Sequence, residues 1–265
     1  MSTWVKLLKT DIDDFNSKIK HIKEAERTMF KAADLSGLDL SEAILYRCDL
    51  SQAKLSNSTV DGYQLSCCRL EAANLDNIRL TDEHWRPMLE QIQLLWIGAT
   101  AWSDFRAKHQ PALLNGVYFS ATEFDGFDLK KLLFIAANFD QTTFTNTDLS
   151  DSNFRTASLV NASFNGLKLQ RTEFIEAKMN ESIWQNTTLS SVDMTAADLS
   201  KANFENVRFE ECVLNDVIAQ AASFKNCQFV DTLFFDADLS QCQFIDCQFE
   251  NSDIRKGSTE GMTLS

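Results

Sequence analysis

Residues 196–214 read AADLSKANFENVRFEECVL. Large apolar side chains stand at Leu199, Phe204, Phe209 and Leu214, and a small one stands two residues before each, at Ala197, Ala202, Val207 and Cys212. Counted outward by fives, the large column runs from Phe119 to Ile254 through twenty-eight positions: fifteen Phe, eight Leu, two Met, Trp184, Ile254 and Ala219. Only Ala219 lacks a large apolar side chain. A period of five fits neither a helix at 3.6 nor a flat strand at 2. A fixed self-similar period of this kind signals a repeat architecture.

The small column holds Ala137, Thr142, Thr147, Ser152, Ala157, Ala162, Ala177, Ala222 and Ala237, and Asp or Asn is frequent between the columns, as at Asn138, Asp148, Asn153, Asp198, Asn203 and Asp238. Units such as Ala196-Ala-Asp-Leu-Ser, Ala202-Asn-Phe and Ala237-Asp-Leu-Ser resemble the A(D/N)LXX unit of the pentapeptide-repeat family. The resemblance implies a right-handed quadrilateral β-helix, a β-solenoid of about nine to ten coils with one pentapeptide per side and about twenty residues per coil. In such a fold the large residue points inward and stacks on its equivalent twenty residues later. The small residue also turns inward, beside a corner with room for Ala, Ser, Thr, Cys or Val. Coils are spaced by about 4.8 Å, the distance between hydrogen-bonded strands. One expected stack is aromatic throughout: Phe124, Phe144, Phe164, Trp184, Phe204, Phe224 and Phe244. Burial of each such side chain contributes about 1.5–3 kcal/mol, so the core is ample.

The count divides the chain. Residues 1–30 are expected to be an N-terminal capping helix, with Trp4, Val5, Leu8, Ile12, Phe15, Ile19 and Phe30 recurring at three- and four-residue steps. Residues 31–80 form a first repeat block with Leu35 to Leu80 as its large column. Leu38, Tyr63 and Ile78 are oversized for the small column, so a bulge is expected at each. The phase then shifts, which requires an insertion. Residues 81–116 are that insertion, Trp-rich (Trp85, Trp96, Trp102) and helical, with Thr81 or Asp82 as its cap. Its aromatic face either packs back on the solenoid or protrudes. The main block covers 117–256 and a tail 257–265. No amphipathic helix follows Ile254, so either the tail folds over that end or a second chain does, and a homodimer through it is expected.

Composition narrows the function. The chain has 265 residues, only eight Gly and two Pro, and therefore no flexible linker. It shows no transmembrane run and no signal peptide at Met1-Ser-Thr-Trp-Val-Lys, so a cytoplasmic bacterial protein is expected, or one delivered by a secretion system without a cleaved signal. Six of the seven cysteines (Cys48, Cys68, Cys212, Cys227, Cys242, Cys247) sit in the small column and read as buried small hydrophobes. With three histidines and no metal-ligand spacing, no catalytic residue, metal site or cofactor is expected, and the chain reads as no enzyme.

Net charge is −13, which disfavours direct nucleic-acid binding, and the balanced charge of residues 1–30 disfavours a membrane helix. The resemblance adds an opposite possibility, since some pentapeptide-repeat proteins are acidic rods that mimic duplex DNA on gyrase and give quinolone resistance. Duplex DNA would carry about 20 charges over seven coils, and the main block carries about half of that. Charge is denser over 209–254, where Glu210, Glu211, Asp216, Asp231, Asp236, Asp238, Asp246, Glu250 and Asp253 face one base, Lys225. These acids spread over several sides, and solubility alone also accounts for them. A competing feature is an outward apolar side with Leu133, Ile135, Ile175, Val213, Leu233 and Phe235. A contiguous exposed apolar patch marks an interface. The expected function is thus protein–protein interaction through the solenoid exterior and the insertion. The alternatives are a DNA-mimicking modulator of gyrase or another topoisomerase, and a secreted effector or toxin-neutralising partner.

Overall fold

The computed structural model of the chain describes residues 3–23, 26–111, 113–254 and 257–265. Residues 1–2 and 24–25 of the expected cap, 112 of the insertion and 255–256 at the end of the main block lie outside the described residues. The chain forms two compact units, residues 1–112 and 113–265.

The second unit is a right-handed β-solenoid with four sides. Every strand pairs in parallel with the segment twenty residues on: Phe144 with Phe164, Phe164 with Trp184, Trp184 with Phe204, Phe204 with Phe224 and Phe224 with Phe244. One side is the ladder from Glu123–Asp125 to Thr263–Leu264, and the next runs from Lys168–Gln170 to Gln248–Glu250. The other two are held by single bridges, such as Leu133 with Asn153 and Asn138 with Ser158. Each corner turns through one residue of positive φ, for example Asn186, Asn206 and Asn226 at 53°, 56° and 53°. Asn and Gly take this conformation readily, while Lys201 and Glu211 are held there at higher local cost by the ladder bonds around them.

The side-chain columns follow from this geometry. Phe144, Phe164 and Phe204 are fully buried and lie in one file. Successive rings stack within 4°–16° of parallel, from Phe124–Phe144 at 5.6 Å to Phe224–Phe244 at 4.7 Å. The small column does more than save space. Thr142 Oγ1 donates to Phe119 O (2.8 Å), Ser152 Oγ to Leu129 O (2.7 Å) and Cys242 Sγ to Ala219 O (2.9 Å). Its hydroxyls and thiols thus satisfy buried carbonyls of the preceding coil. The Asp and Asn between columns close local turns, as where Asp238 Oδ1 accepts from both the N–H and the hydroxyl of Ser240.

Three large residues, Phe127, Leu132 and Leu167, occupy the small column and are still buried, which corrects the expectation of room for small residues only. Each lies one coil before Thr147, Ser152 or Thr187, whose short side chain makes the space. The ladder begins at Leu114, whose N–H donates to Leu133 O, so residues 114–116 of the expected insertion belong to the solenoid. Residues 257–265, expected as a tail, also continue it. Ser258 bridges Asp238, and Thr263–Leu264 extends the first ladder.

In the first unit the single capping helix is two, α1 (Thr3–Thr10) and α2 (Ile12–Ile19), because Asp11 starts a new helix by accepting from Asp14 N–H at 2.9 Å. They bury Val5, Leu8, Phe15 and Ile19. Polar side chains take over the backbone groups of the first coil: Asn16 donates to Glu42 O and accepts from Ile44 N–H, both at 2.7 Å, and Arg27 Nη1 donates to Tyr46 O at 2.7 Å. In the first repeat block Asp39–Leu40, Thr59–Val60 and Arg79–Leu80 pair in register. Regular pairing follows Leu38 and Ile78, so the bulges expected there do not form, the small Ser58 lying between them in the column. At Tyr63 the side is replaced by a helical turn, α3 (Gly62–Ser66), which keeps Leu65 buried. Gln64 Oε1 then accepts from Leu45 N–H at 2.7 Å, where a ladder carbonyl would otherwise stand.

The insertion is a 3-10 turn (Glu83–Trp85) capped by Asp82, then α4 (Arg86–Ile97) and α5 (Ala99–Arg106). It packs back on the first block. α4 lies against α3, Arg86 Nη2 donates to Ile78 O at 3.2 Å, and the Arg69 guanidinium sits 5.7 Å from the Trp96 ring.

Candidate interaction surface

The solenoid directs alternate residues inward, so its exterior consists of the flanking side positions and the corners. The insertion Trp residues divide. Trp102 is fully buried and belongs to a core, which removes it from the candidate contact residues. Trp85 is half-buried, with Tyr63 at 5.4 Å. Trp96 is half-buried and lines a groove of about 730 Å³ with Leu70, Glu71, Glu90 and Leu94, beside the exposed Ile97.

The apolar side of the second unit is not continuous. One outward column reads Leu133, Asn153, Glu173, Asp193, Val213, Leu233, and the other reads Ile135, Arg155, Ile175, Thr195, Asn215, Phe235. Polar residues therefore separate a Leu133/Ile135 spot from a Val213/Leu233/Phe235 spot, with Ile175 alone between them. Leu233 and Phe235 are 41% and 48% exposed, the more open of the two spots. Side-by-side apolar residues in the linear sequence gave the impression of one patch; the twenty-residue stacking resolves it into two.

The nine C-terminal acids do not form a stripe. Glu211 and Asp231 stand at one corner of that side, Asp216 and Asp236 at the next, and Asp246 at a third. Glu210 and Glu250 lie on the neighbouring side, whereas Asp238 is in the turn with Ser240 and Asp253 lies before Ile254. Hydrogen bonds from Ser240 hold the Asp238 carboxyl below its usual range.

Among the described residues no group of three or more His, Cys, Asp or Glu side chains could hold a metal, and no helix is long and apolar enough to cross a membrane. The cysteines are free thiols. Burial pushes Cys48, Cys212 and Cys242 up to about 12, 11 and 12. Cys247 is half-buried and goes the other way, lowered to about 7 by a hydrogen bond from Cys227, whose own thiol is held protonated.

Family models match along the chain. The pentapeptide repeat region model matches residues 108–184, pentapeptide repeats in eight copies match 27–62, and the SV2A/B/C luminal domain model matches 178–254. No curated protein matches the sequence. Among solved structures, full-length QnrB1, a plasmid-mediated fluoroquinolone resistance protein, is 13% identical over 89% of this chain and 91% of its own, at a TM-score of 0.32. HetL, a pentapeptide-repeat protein involved in heterocyst differentiation regulation in the cyanobacterium Nostoc, is 15% identical over 94% and 96%, at 0.22. A pentapeptide-repeat protein of the Arabidopsis thaliana thylakoid lumen is 18% identical over 49% and 69%, at 0.18. The repeat matches fall on ladders whose every register step is twenty residues: the chain belongs to the pentapeptide-repeat family.

Proposed function

We propose that this chain is a non-enzymatic protein-binding module that works through the solenoid exterior and the helical insertion. The observation that carries the reading is the set of large apolar side chains left on an otherwise polar outer surface: Ile97, Leu133, Ile183, Ile218, Leu233 and Phe235. The inward columns already supply a core, so these outward residues are not needed for folding. Cross-linking mass spectrometry of the full chain in native extract tests it. Cross-links from a recurrent protein to residues flanking these positions support the reading, and their absence overturns it.

A second reading, a DNA-mimicking modulator of gyrase or another topoisomerase, draws on like-charged corners stacked in adjacent coils, Glu211 with Asp231 and Asp216 with Asp236. Inhibition or protection of gyrase supercoiling supports it, and no effect at micromolar excess removes it. A homodimer is a further proposal. Gln248–Glu250 is the last strand of its sheet, and Phe249 is only half-buried. A single monomer mass by light scattering at all concentrations would exclude it.

A further inference from the structure

One side of the solenoid changes character over its last two full coils. The chain there reads Glu211-Cys-Val-Leu-Asn-Asp216 and, twenty residues later, Asp231-Thr-Leu-Phe-Phe-Asp236. Cys212, Leu214, Thr232 and Phe234 point inward and are buried. Val213 bridges Leu233 across the coils, and Phe235 N–H donates to Asn215 Oδ1 at 2.9 Å, so Val213, Leu233 and Phe235 share one outer face. Glu211 and Asp231 turn the corner before that face, and Asp216 and Asp236 turn the corner after it, all with φ between 49° and 56° and all exposed. An apolar centre about two coils deep, roughly 10 Å along the axis, thus lies between two carboxylate rails.

Earlier in the solenoid, carboxylates at the same two corners are paired with cations, one from the corner and one from the face. Asp151, in the column of Glu211 and Asp231, pairs with Arg171 at 2.6 Å, one coil away in that column. Glu176, in the column of Asp216 and Asp236, pairs with Arg155 at 2.8 Å. Among the described residues no Lys or Arg pairs with Glu211, Asp216, Asp231 or Asp236. Glu211 accepts from Ser191 Oγ and Asp231 from Asn251 Nδ2, neutral donors that leave both charges uncompensated. Among the described residues, arginine–carboxylate pairs on these edges flank the coils that carry Asn153, Arg155 and Glu173, and none flanks Val213, Leu233 and Phe235.

We infer that this face receives a basic amphipathic segment of another protein: a short peptide whose Leu, Ile or Phe side chains sit on Val213, Leu233 and Phe235 while Lys or Arg on both flanks meet the two rails. The inference rests on the protein-binding reading and specifies the partner's chemistry. Apolar contact at the centre supplies affinity, and the rails exclude acidic segments and fix orientation. Because the four carboxylates are exposed, the electrostatic part weakens as salt rises.

Fluorescence anisotropy with the full chain and three labelled twelve-residue peptides tests this. The first alternates Lys/Arg with Leu/Phe, the second replaces every Lys/Arg by Glu, and the third replaces every Leu/Phe by Ser. The first is expected to bind and the other two at least ~10-fold more weakly. Leu233→Ser with Phe235→Ser, and separately Asp231→Asn with Asp236→Asn, should each weaken the first peptide by ~10-fold or more with an unchanged thermal midpoint. Glu123→Gln with Asp125→Asn, exposed on a different side of the solenoid, should leave binding unchanged. Equal binding of the Ser-containing peptide, or indifference to Phe235→Ser, would reduce the effect to general charge attraction and overturn the inference. Binding that emerges only in Arg255→Ala with Lys256→Ala would assign the face to the chain's own following segment, which also overturns it. If no peptide binds while cross-links in extract map to the Trp96 groove, this inference fails and the protein-binding reading stands.

Discussion

The Trp184 indole lies 3.8 Å, centroid to centroid, from the Phe164 ring and only 9° from parallel to it, and on its other side Phe204 stacks at 5.9 Å. The single indole in a file of phenyl rings is seated by its Nε1–H, which donates to Ser182 Oγ at 2.9 Å. Each coil buries its core only against its two neighbours, so a vacancy here cannot be refilled from elsewhere. Trp184→Ala is expected to cost about 3–5 kcal/mol in urea unfolding, and Trp184→Phe much less. Equal losses for the two would show that the hydrogen bond, not the stack, holds this level.

The corner column through Asn186, Asn206 and Asn226 forms an amide ladder, with Asn206 Nδ2 donating to Asn186 Oδ1 at 3.1 Å and Asn226 Nδ2 to Asn206 Oδ1 at 2.6 Å. Gly166 interrupts it at a φ of 70°, with open space where a Cβ would stand. Asn tolerates this conformation and can join the ladder. Gly166→Asn is expected to stabilise by about 0.5–1 kcal/mol through the lower entropy of the unfolded chain, and Gly166→Val to destabilise, since a β-branched residue is strained at positive φ. A thermal midpoint that rises for Val would refute the corner argument.

The five-residue count made the fold legible because the solenoid is a single geometric rule repeated. Whichever residue is inward in one coil is inward in the next, so Phe144, Phe164 and Phe204 could be placed from spacing alone. What escaped was whatever the backbone or a single side chain decides. Residues 257–265 lose the apolar pattern, with Thr259 in the large column, yet the open edge of the previous coil still templates them: Leu239 N–H donates to Ser258 O and Gln241 N–H to Glu260 O. The helical turn at Tyr63 depends on Asp61 capping Gln64 N–H, a local choice against the global period. The interaction surface was half legible. Leu233 and Phe235 were visible as apolar outward residues, but their separation from Leu133 and their acidic flanks required the stacking of columns in space.

Gly62 measures how tightly the insertion is seated. A Cβ built on it would stand 2.6 Å from Trp85 Cβ and 2.9 Å from Cγ, so either α3 or the turn carrying Trp85 must move. Gly62→Ala is expected to cost about 1–3 kcal/mol, and combining it with Trp85→Gly, which removes the Cβ as well as the ring, should recover most of that loss. Additive losses in the double variant would mean that the contact is relieved without strain. They would restore Trp85 as a residue available to partners.

Cys247 separates chemistry from packing among the thiols. The neighbouring Cys227 thiol favours the charged form of Cys247 and lowers it to about 7, while Cys212 and Cys242 are buried and held up at about 11 and 12. The thiolate is the reactive form, so its fraction grows as pH rises through its own pKa. Iodoacetamide at pH 8 is expected to alkylate Cys247 first, with a rate that falls as pH is lowered through about 7, and to leave Cys212 and Cys242 unmodified in the folded chain. Removing the donor with Cys227→Ala should return Cys247 toward its ordinary value, moving the rate profile to higher pH and making labelling at neutral pH slower even though the smaller neighbour opens access. Peptide mapping that finds faster labelling at pH 7 in this variant would mean that burial, not the paired thiol, governs Cys247.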